Sequence, residues 1–111
     1  MSEEQFAFDL PTVLAALADR GRLELVRTLD AAGEQCCSKV GELAGLTVGK
    51  STLSHHLRVL RESGITVARA EGTHRYVSLR RAELDAAFPS LLDAVLSAER
   101  SGVAATAAAA V

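Results

Sequence analysis

Residues 49–64, GKSTLSHHLRVLRESG, constrain the chain more than any other stretch, because they sort onto two helical faces of different chemistry. Leu53, Leu57 and Leu60 fall at i, i+4 and i+7, an apolar stripe that must be buried against another element. Ser51, Ser54, His55 and Arg58 fall at i, i+3, i+4 and i+7 on a second face that is polar, donor-rich and partly cationic. Lys50, Ser51 and Thr52 stand at the amino end, where unpaired backbone N–H groups and the helix dipole favour an anion such as phosphate. Arg58 and Arg61 extend the positive charge along the helix. Most surface helices have a polar face, so the meaning of this one depends on its neighbours.

A chain of 111 residues fits one domain. Its hydrophobic fraction is 49 % with only 4 % aromatics, so the core is built from Leu, Val and Ala, which suits packed helices better than a sandwich. The net charge of −2 argues against a polyanion partner until it is divided along the chain. Residues 39–81 hold eight cations and three acids, a balance of +5, and the rest holds four cations and eleven acids, a balance of −7. A basic middle between acidic ends is the electrostatic footprint of a nucleic-acid binder, hidden by the sum. The acidic start has no charged-then-apolar pattern of a signal peptide, no run reaches membrane-spanning length, and the two cysteines, Cys36 and Cys37, describe no disulfide framework. A cytosolic protein without membrane partners is expected.

Taken in order, residues 1–8 are expected to form a flexible arm, 9–100 the folded domain, and 101–111 an alanine-rich tail. Asp9 is a helix cap ahead of Leu10 and Pro11, and Leu10, Val13, Leu14 and Leu17 follow helical spacing with Ala15, Ala16 and Ala18 filling the remaining sides. A helix apolar all round is buried on more than one side, and in so small a domain the second side is expected to meet another subunit. Asp19 caps a second helix over about 20–32, with Leu23, Val26 and Leu29 inward and Gly33 as its stop. Ser38 is expected to cap a short third helix to Ala44, with Val40, Leu43 and Ala44 inward. A turn at 45–49 then leads into the two-faced helix, making a helix-turn-helix whose second helix is offered to the major groove.

After Gly64 the pattern alternates. Ile65 and Val67 are expected on one side, continued by Val77 and Leu79 across a turn at 71–73, a hairpin with Arg69, His74 and Arg75 near its tip. A basic hairpin after a helix-turn-helix is a wing. Residues 81–88 are helical, Pro89 breaks or restarts the helix, and Leu91, Leu92, Val95 and Leu96 line a last helix to about Arg100. With Leu84 and Phe88 this is more apolar surface than one small core needs, so the last helix is expected to pair with the first across a two-fold axis. The predicted class is mostly α with a small β-hairpin: a dimeric winged helix-turn-helix.

LADRGRLELVRTL, then VGELAGLTVGKSTLSHHLRVLRESGI, then RAEGTHRYVSL together resemble the ArsR/SmtB family of bacterial winged-helix repressors over about residues 12–80. The resemblance implies a homodimer that binds an inverted repeat of operator DNA and represses until an effector binds. It also implies groove-facing roles for Lys50, Ser51, Ser54 and His55 and wing contacts for Arg69 and Arg75, with Thr52 and Arg58 on the backbone and His74 at the wing tip. His56 is expected to be semi-buried structure. The turn between the third and fourth helices is one residue shorter than the commonest family pattern, and Gly21 stands near a position the family usually fills with a proline-threonine pair. Family metal sensors often carry a C-x-C pair in the third helix, or an Asp-x-His with histidines on the last helix. Here Cys36 and Cys37 are adjacent and precede the third helix, and the last helix has no histidine, so neither metal site carries over.

Other chemistry is weaker. Cys36 and Cys37 are the candidate effector or redox residues, since thiolates suit soft metals, but neighbours make a strained disulfide and too few ligands. His55, His56 and His74 with acids are a second route to zinc or nickel, although adjacent helical residues point about 100° apart and chelate poorly. Gly49-Lys50-Ser51 resembles the end of a phosphate-binding loop, yet Ala44 stands where its first glycine is required and a helix precedes it. Ser51 and His55 lack an acid to orient the imidazole. An enzyme is not expected. The alternative from another class is a protein-interaction module whose basic face meets an acidic partner, or a repressor that uses a separate sensor protein.

Overall fold

A computed structural model describes residues 7–100 of the chain, with side chains for residues 7–98. The tail at 101–111 and all but the last two residues of the expected arm lie outside the described residues. In chain order the elements are α1 (Leu10–Leu17), α2 (Arg20–Ala32), β1 (Gln35–Cys36), α3 (Cys37–Leu43), α4 (Lys50–Glu62), β2 (Thr66–Glu71), β3 (His74–Leu79), α5 (Arg81–Ala87) and α6 (Leu91–Arg100). This is a winged helix-turn-helix architecture, mostly α, with a small antiparallel sheet.

The helix starts follow local chemistry. Asp9 accepts from the Thr12 N–H at 3.1 Å and from the Thr12 hydroxyl at 2.6 Å, contacts that hold its carboxyl below the usual range. Asp19 accepts from the Arg22 N–H at 3.0 Å, and α2 stops at Gly33, whose φ of 82° lies in the left-handed region. Within α2 the fully buried residues are Leu25, Val26 and Leu29, while Leu23, expected inward, is half-buried at the edge. In α1, Val13, Ala16 and Leu17 are buried, and Leu10 and Leu14 remain 42 % and 44 % exposed on the opposite side.

The third helix departs from expectation in two ways. Its cap position is Cys36, which makes no side-chain cap, and Ser38 lies inside the first turn. The cause is β1: Gln35 and Cys36 pair with Val77 and Tyr76 of β3, so the chain is strand until the helix begins. Leu43 is 58 % exposed, and the inward side is Val40, Gly41 and Ala44. Leu53 of α4 packs on Gly41 so closely that a Cβ there would sit 2.8 Å from its Cδ2. That contact turns the 40–41 edge of α3 toward α4 and leaves Leu43 outside.

The wing is a hairpin in the register Thr66↔Leu79 to Glu71↔His74, closed by Gly72 at φ 62° and Thr73, with β1 as a third strand in the order β1-β3-β2. Its inward face carries Thr66 and Ala68 beside Val77, and Val67 is 39 % exposed opposite Ser78. The expected pairing of Ile65 with Val67 fails for a local reason. Ile65 belongs to the turn that ends α4, its N–H donating to the Leu60 carbonyl at 3.0 Å, so strand alternation starts at Thr66. At the other end of the chain α6 begins at Leu91, and Pro89 stands outside it in a corner that places Ser90 at φ 70°. Arg81 ties this corner to α2 through Asp30 at 2.8 Å, Asp85 at 3.0 Å and Asp93. Leu84, Leu92 and Leu96 complete the core with Val13, Leu25, Val40, Leu60 and Ile65.

The register makes a stability contrast. Val77→Ala should cost about 2 kcal/mol by opening the core, whereas Val67→Ala should stay within about 0.5 kcal/mol. Urea denaturation of the two variants measures both, and equal losses would contradict the inward face assigned here.

Candidate nucleic-acid interface

The two faces of α4 are separated as the residue spacing predicts. Leu60 is fully buried, Leu53 and Leu57 are half-buried, and Lys50, Ser51, Thr52, Ser54, His55, Arg58 and Arg61 are exposed. Gly49 occupies the cap position without a side-chain acceptor, so the first N–H groups of α4 are left for an outside partner. Arg58 donates from Nη2 to His55 Nδ1 at 3.1 Å, which places the proton of a neutral His55 ring on Nε2. His56, one position on, faces the other way and is 8 % exposed. Its Nδ1 accepts from Arg22 Nη1 at 3.1 Å, and its Nε2 lies 3.6 Å from Asp19 Oδ2. Arg22 in turn donates from Nε to the Ala16 carbonyl at 2.6 Å.

The wing residues fall into two groups. Arg75 is exposed and drawn into no ion pair among the described residues. Arg69 is engaged: it donates from Nε and Nη2 to the two carboxylate oxygens of Glu34 at 2.9 Å each, from Nη1 to Glu71 at 2.7 Å, and lies 4.6 Å above the Tyr76 ring. The fork holds the Glu34 carboxyl below its usual range. Glu34 was not singled out from the sequence. It precedes β1 by one residue, and only the pairing of β1 with β3 brings it to the wing.

That same pairing assembles a cleft of about 230 Å³ in which Cys36, Cys37 and Ser38 meet Thr73, His74 and Arg75 of the wing. His74 thus shares a cleft with the cysteines, whereas the rings of His55 and His56 sit 6.1 Å apart and tilted on α4. No group of three or more His, Cys, Asp or Glu able to hold a metal occurs among the described residues. The two thiols differ. Cys36 Sγ lies 3.2 Å from the Ser38 hydroxyl, and that contact, the Ser38 N–H and the Lys39 charge hold its pKa below that of an ordinary thiol. Burial pushes the Cys37 thiol up, opposed by Arg75 and Arg61.

The model of the bacterial regulatory protein arsR family matches residues 19–66, which run from the cap of α2 to the first residue of β2. The HTH-type transcriptional regulator YceK of Bacillus subtilis is 37 % identical over 82 residues, 73 % of this chain and 80 % of its own length. The chain belongs to the arsR family. An arsenical resistance operon repressor of Staphylococcus aureus is 32 % identical over 69 % of this chain and 71 % of its own. The solution structure of a homodimeric winged helix-turn-helix DNA-binding domain from Mycobacterium bovis, a possible ArsR-family regulator, superposes with a TM-score of 0.64 at 27 % identity, covering 84 % of this chain and 82 % of that one. ArsR-family proteins are transcriptional regulators, so the enzyme readings of Gly49-Lys50-Ser51 and of Ser51 with His55 are set aside. Relatives of the chain include proteins named for cadmium resistance and for arsenical resistance.

The unequal thiols are testable in the isolated protein. At neutral pH iodoacetamide should alkylate Cys36 before Cys37, because the lower pKa supplies more thiolate. Ser38→Ala should raise the Cys36 pKa and slow its reaction, and peptide mass spectrometry across a pH series reads both rates. Faster reaction at Cys37 would overturn the assignment.

Proposed function

We propose that the chain is a homodimeric, sequence-specific DNA-binding repressor. The observation that carries this is the division of α4: its underside is fixed by Leu60 and by His56 on Arg22, so a rigid helix presents Lys50, Ser51, Thr52, Ser54, His55 and Arg58 outward. Ser54 and His55 offer donors to base edges in the major groove. Lys50, Arg58 and the unpaired Arg75 neutralise phosphate, and Thr52 and His74 touch the backbone beside them. Arg69 joins them when phosphate displaces Glu34.

Leu10 and Leu14, one turn apart on the exposed side of α1, support dimerisation. A two-fold dimer would place two α4 helices on half-sites about one helical turn apart, as in an inverted repeat. The effector class is a thiol oxidant acting at Cys36 and Cys37, or a metal ion such as zinc or nickel, in keeping with relatives named for cadmium and arsenical resistance. Cys36, Cys37 and His74 do not by themselves form a group able to hold a metal, so a metal needs ligands from outside the described residues.

Fluorescence anisotropy on DNA from upstream of the coding sequence, with random DNA as competitor and a salt series, tests the reading. His55→Ala should weaken operator binding by about 1–3 kcal/mol and random DNA far less. Arg75→Ala should weaken all sequences alike and lower the salt slope by about one. Glu34→Gln should strengthen both slightly by removing one of the two carboxylates that hold Arg69. Binding without sequence preference in the wild-type chain would favour an interaction module instead.

A further inference from the structure

Between α4 and the sheet lies a cavity of about 320 Å³, near the lower end of the range for small-molecule sites. Ser54, Arg61 and Arg75 line its polar side, and Leu57, Ala68 and Val77 supply an apolar floor. Neither arginine is drawn into an ion pair among the described residues, in contrast to Arg27, Arg69 and Arg81, which are held by carboxylates. Thr66 is in the wall, and its hydroxyl is buried without a hydrogen-bond partner among the described residues. The Cys37 thiol lines the same space, and both guanidiniums act on it, so their charges converge there.

Two unneutralised guanidiniums over an apolar floor suit a ligand with an anionic head and an apolar body. A DNA phosphate satisfies the arginines but has nothing to cover Leu57, Ala68 and Val77. We propose that this cavity binds a small organic carboxylate, its head between Arg61 and Arg75 and its body on the floor, and that occupancy expels DNA. The expulsion follows from competition: a carboxylate on Arg75 and beside Ser54 removes a phosphate contact and obstructs the groove-facing side of α4. This effect on DNA rests on the function proposed above, while binding of the carboxylate does not. The cavity adjoins the cleft at Cys36, sharing Cys37 and Arg75 with it.

Benzoate is the probe, with benzyl alcohol as its uncharged counterpart and inorganic phosphate as an anion without an apolar body. In an amide NMR titration of the full chain without DNA, benzoate should shift Ser54, Ala68 and Val77 with a Kd of about 1 mM, as expected for a ligand of this size. Benzyl alcohol should leave them unmoved, and phosphate should bind at least about tenfold more weakly. At ten times its Kd and constant ionic strength, benzoate should reduce operator affinity about a hundredfold by mass action, about tenfold for each of the dimer's two cavities. Ala68→Leu fills the cavity outside the DNA face, and should keep operator binding while abolishing the benzoate effect. Absence of shifts well beyond that concentration, phosphate binding as tightly as benzoate, or a benzoate effect that survives Ala68→Leu would overturn the proposal. Should Ala68→Leu not fold, the wild-type titration with its two control ligands decides alone. If operator binding itself fails, the DNA reading falls, and the amide shifts still decide the cavity.

Discussion

The orientation of α4 depends on a polar contact beneath it, the hydrogen bond from Arg22 Nη1 to His56 Nδ1 at 3.1 Å, with Asp19 3.6 Å from the other ring nitrogen. Leucines alone would bury the underside of α4, but apolar contact is non-directional and tolerates rotation. A directional hydrogen bond between the buried imidazole and the part-buried guanidinium does not, because rotation of α4 would break it. Arg22 is itself anchored to the Ala16 carbonyl at the end of α1, and the Arg22 N–H closes on Asp19. The pitch of α4 is therefore set by the corner between α1 and α2. Gly21 has its role in that corner, since a Cβ there would lie 3.1 Å from Asp19 and 3.2 Å from His56. A larger residue would press on both members of the contact.

The cations of the described residues differ in whether a carboxylate holds them. Arg81 is consumed by Asp30, Asp85 and Asp93, and its charge serves to fasten α2 to α5 and α6. Arg69 is bound by Glu34 and Glu71 in exposed pairs, which are weak in water and readily exchanged for phosphate. Lys50, Arg61 and Arg75 have no such partner among the described residues, and Arg58 is matched only with a histidine. The local balance of +5 over 39–81 thus understates the contrast. On the wing the two cases stand side by side, Arg69 on β2 held by carboxylates and Arg75 on β3 not, while Lys50, Arg58 and Arg61 of α4 have no carboxylate among the described residues.

Helical elements were the legible part of the sequence because their signals are local. Asp9, Asp19 and Gly33 act within one turn of where they stand, and the spacing of Leu53, Leu57 and Leu60 already separates the buried and offered faces of α4. What escaped depends on partners distant in sequence. A two-residue strand at Gln35–Cys36 has no periodicity to detect, and it exists because β3 offers it an edge. The inward face of β2 depended on where α4 releases the chain, a shift of one residue that moved Val67 outward and Thr66 and Ala68 inward. Leu43 looked like core by spacing, and the close approach of Leu53 to Gly41 decided against it. Among the candidate site residues, the exposure of the α4 face is legible from its spacing. The pairing of Arg69 with Glu34, 35 positions apart, could not.

The small strand β1 has mechanical significance beyond its size. It ends at Cys36, the residue after it opens α3, and its pairing partners Tyr76 and Val77 adjoin Arg75 on β3. Any chemistry that moves Cys36 must act on its pairing with Tyr76, on its contact with Ser38, or on both. The first route displaces the wing strand that carries His74 and Arg75, and the second displaces the start of the helix against which α4 packs. The wing strand is thus hydrogen-bonded to the strand that ends at Cys36, and α4 is reached through α3, whose Gly41 packs on Leu53. A sensor placed there needs no long relay, only a two-residue strand whose few hydrogen bonds can be exchanged at low cost.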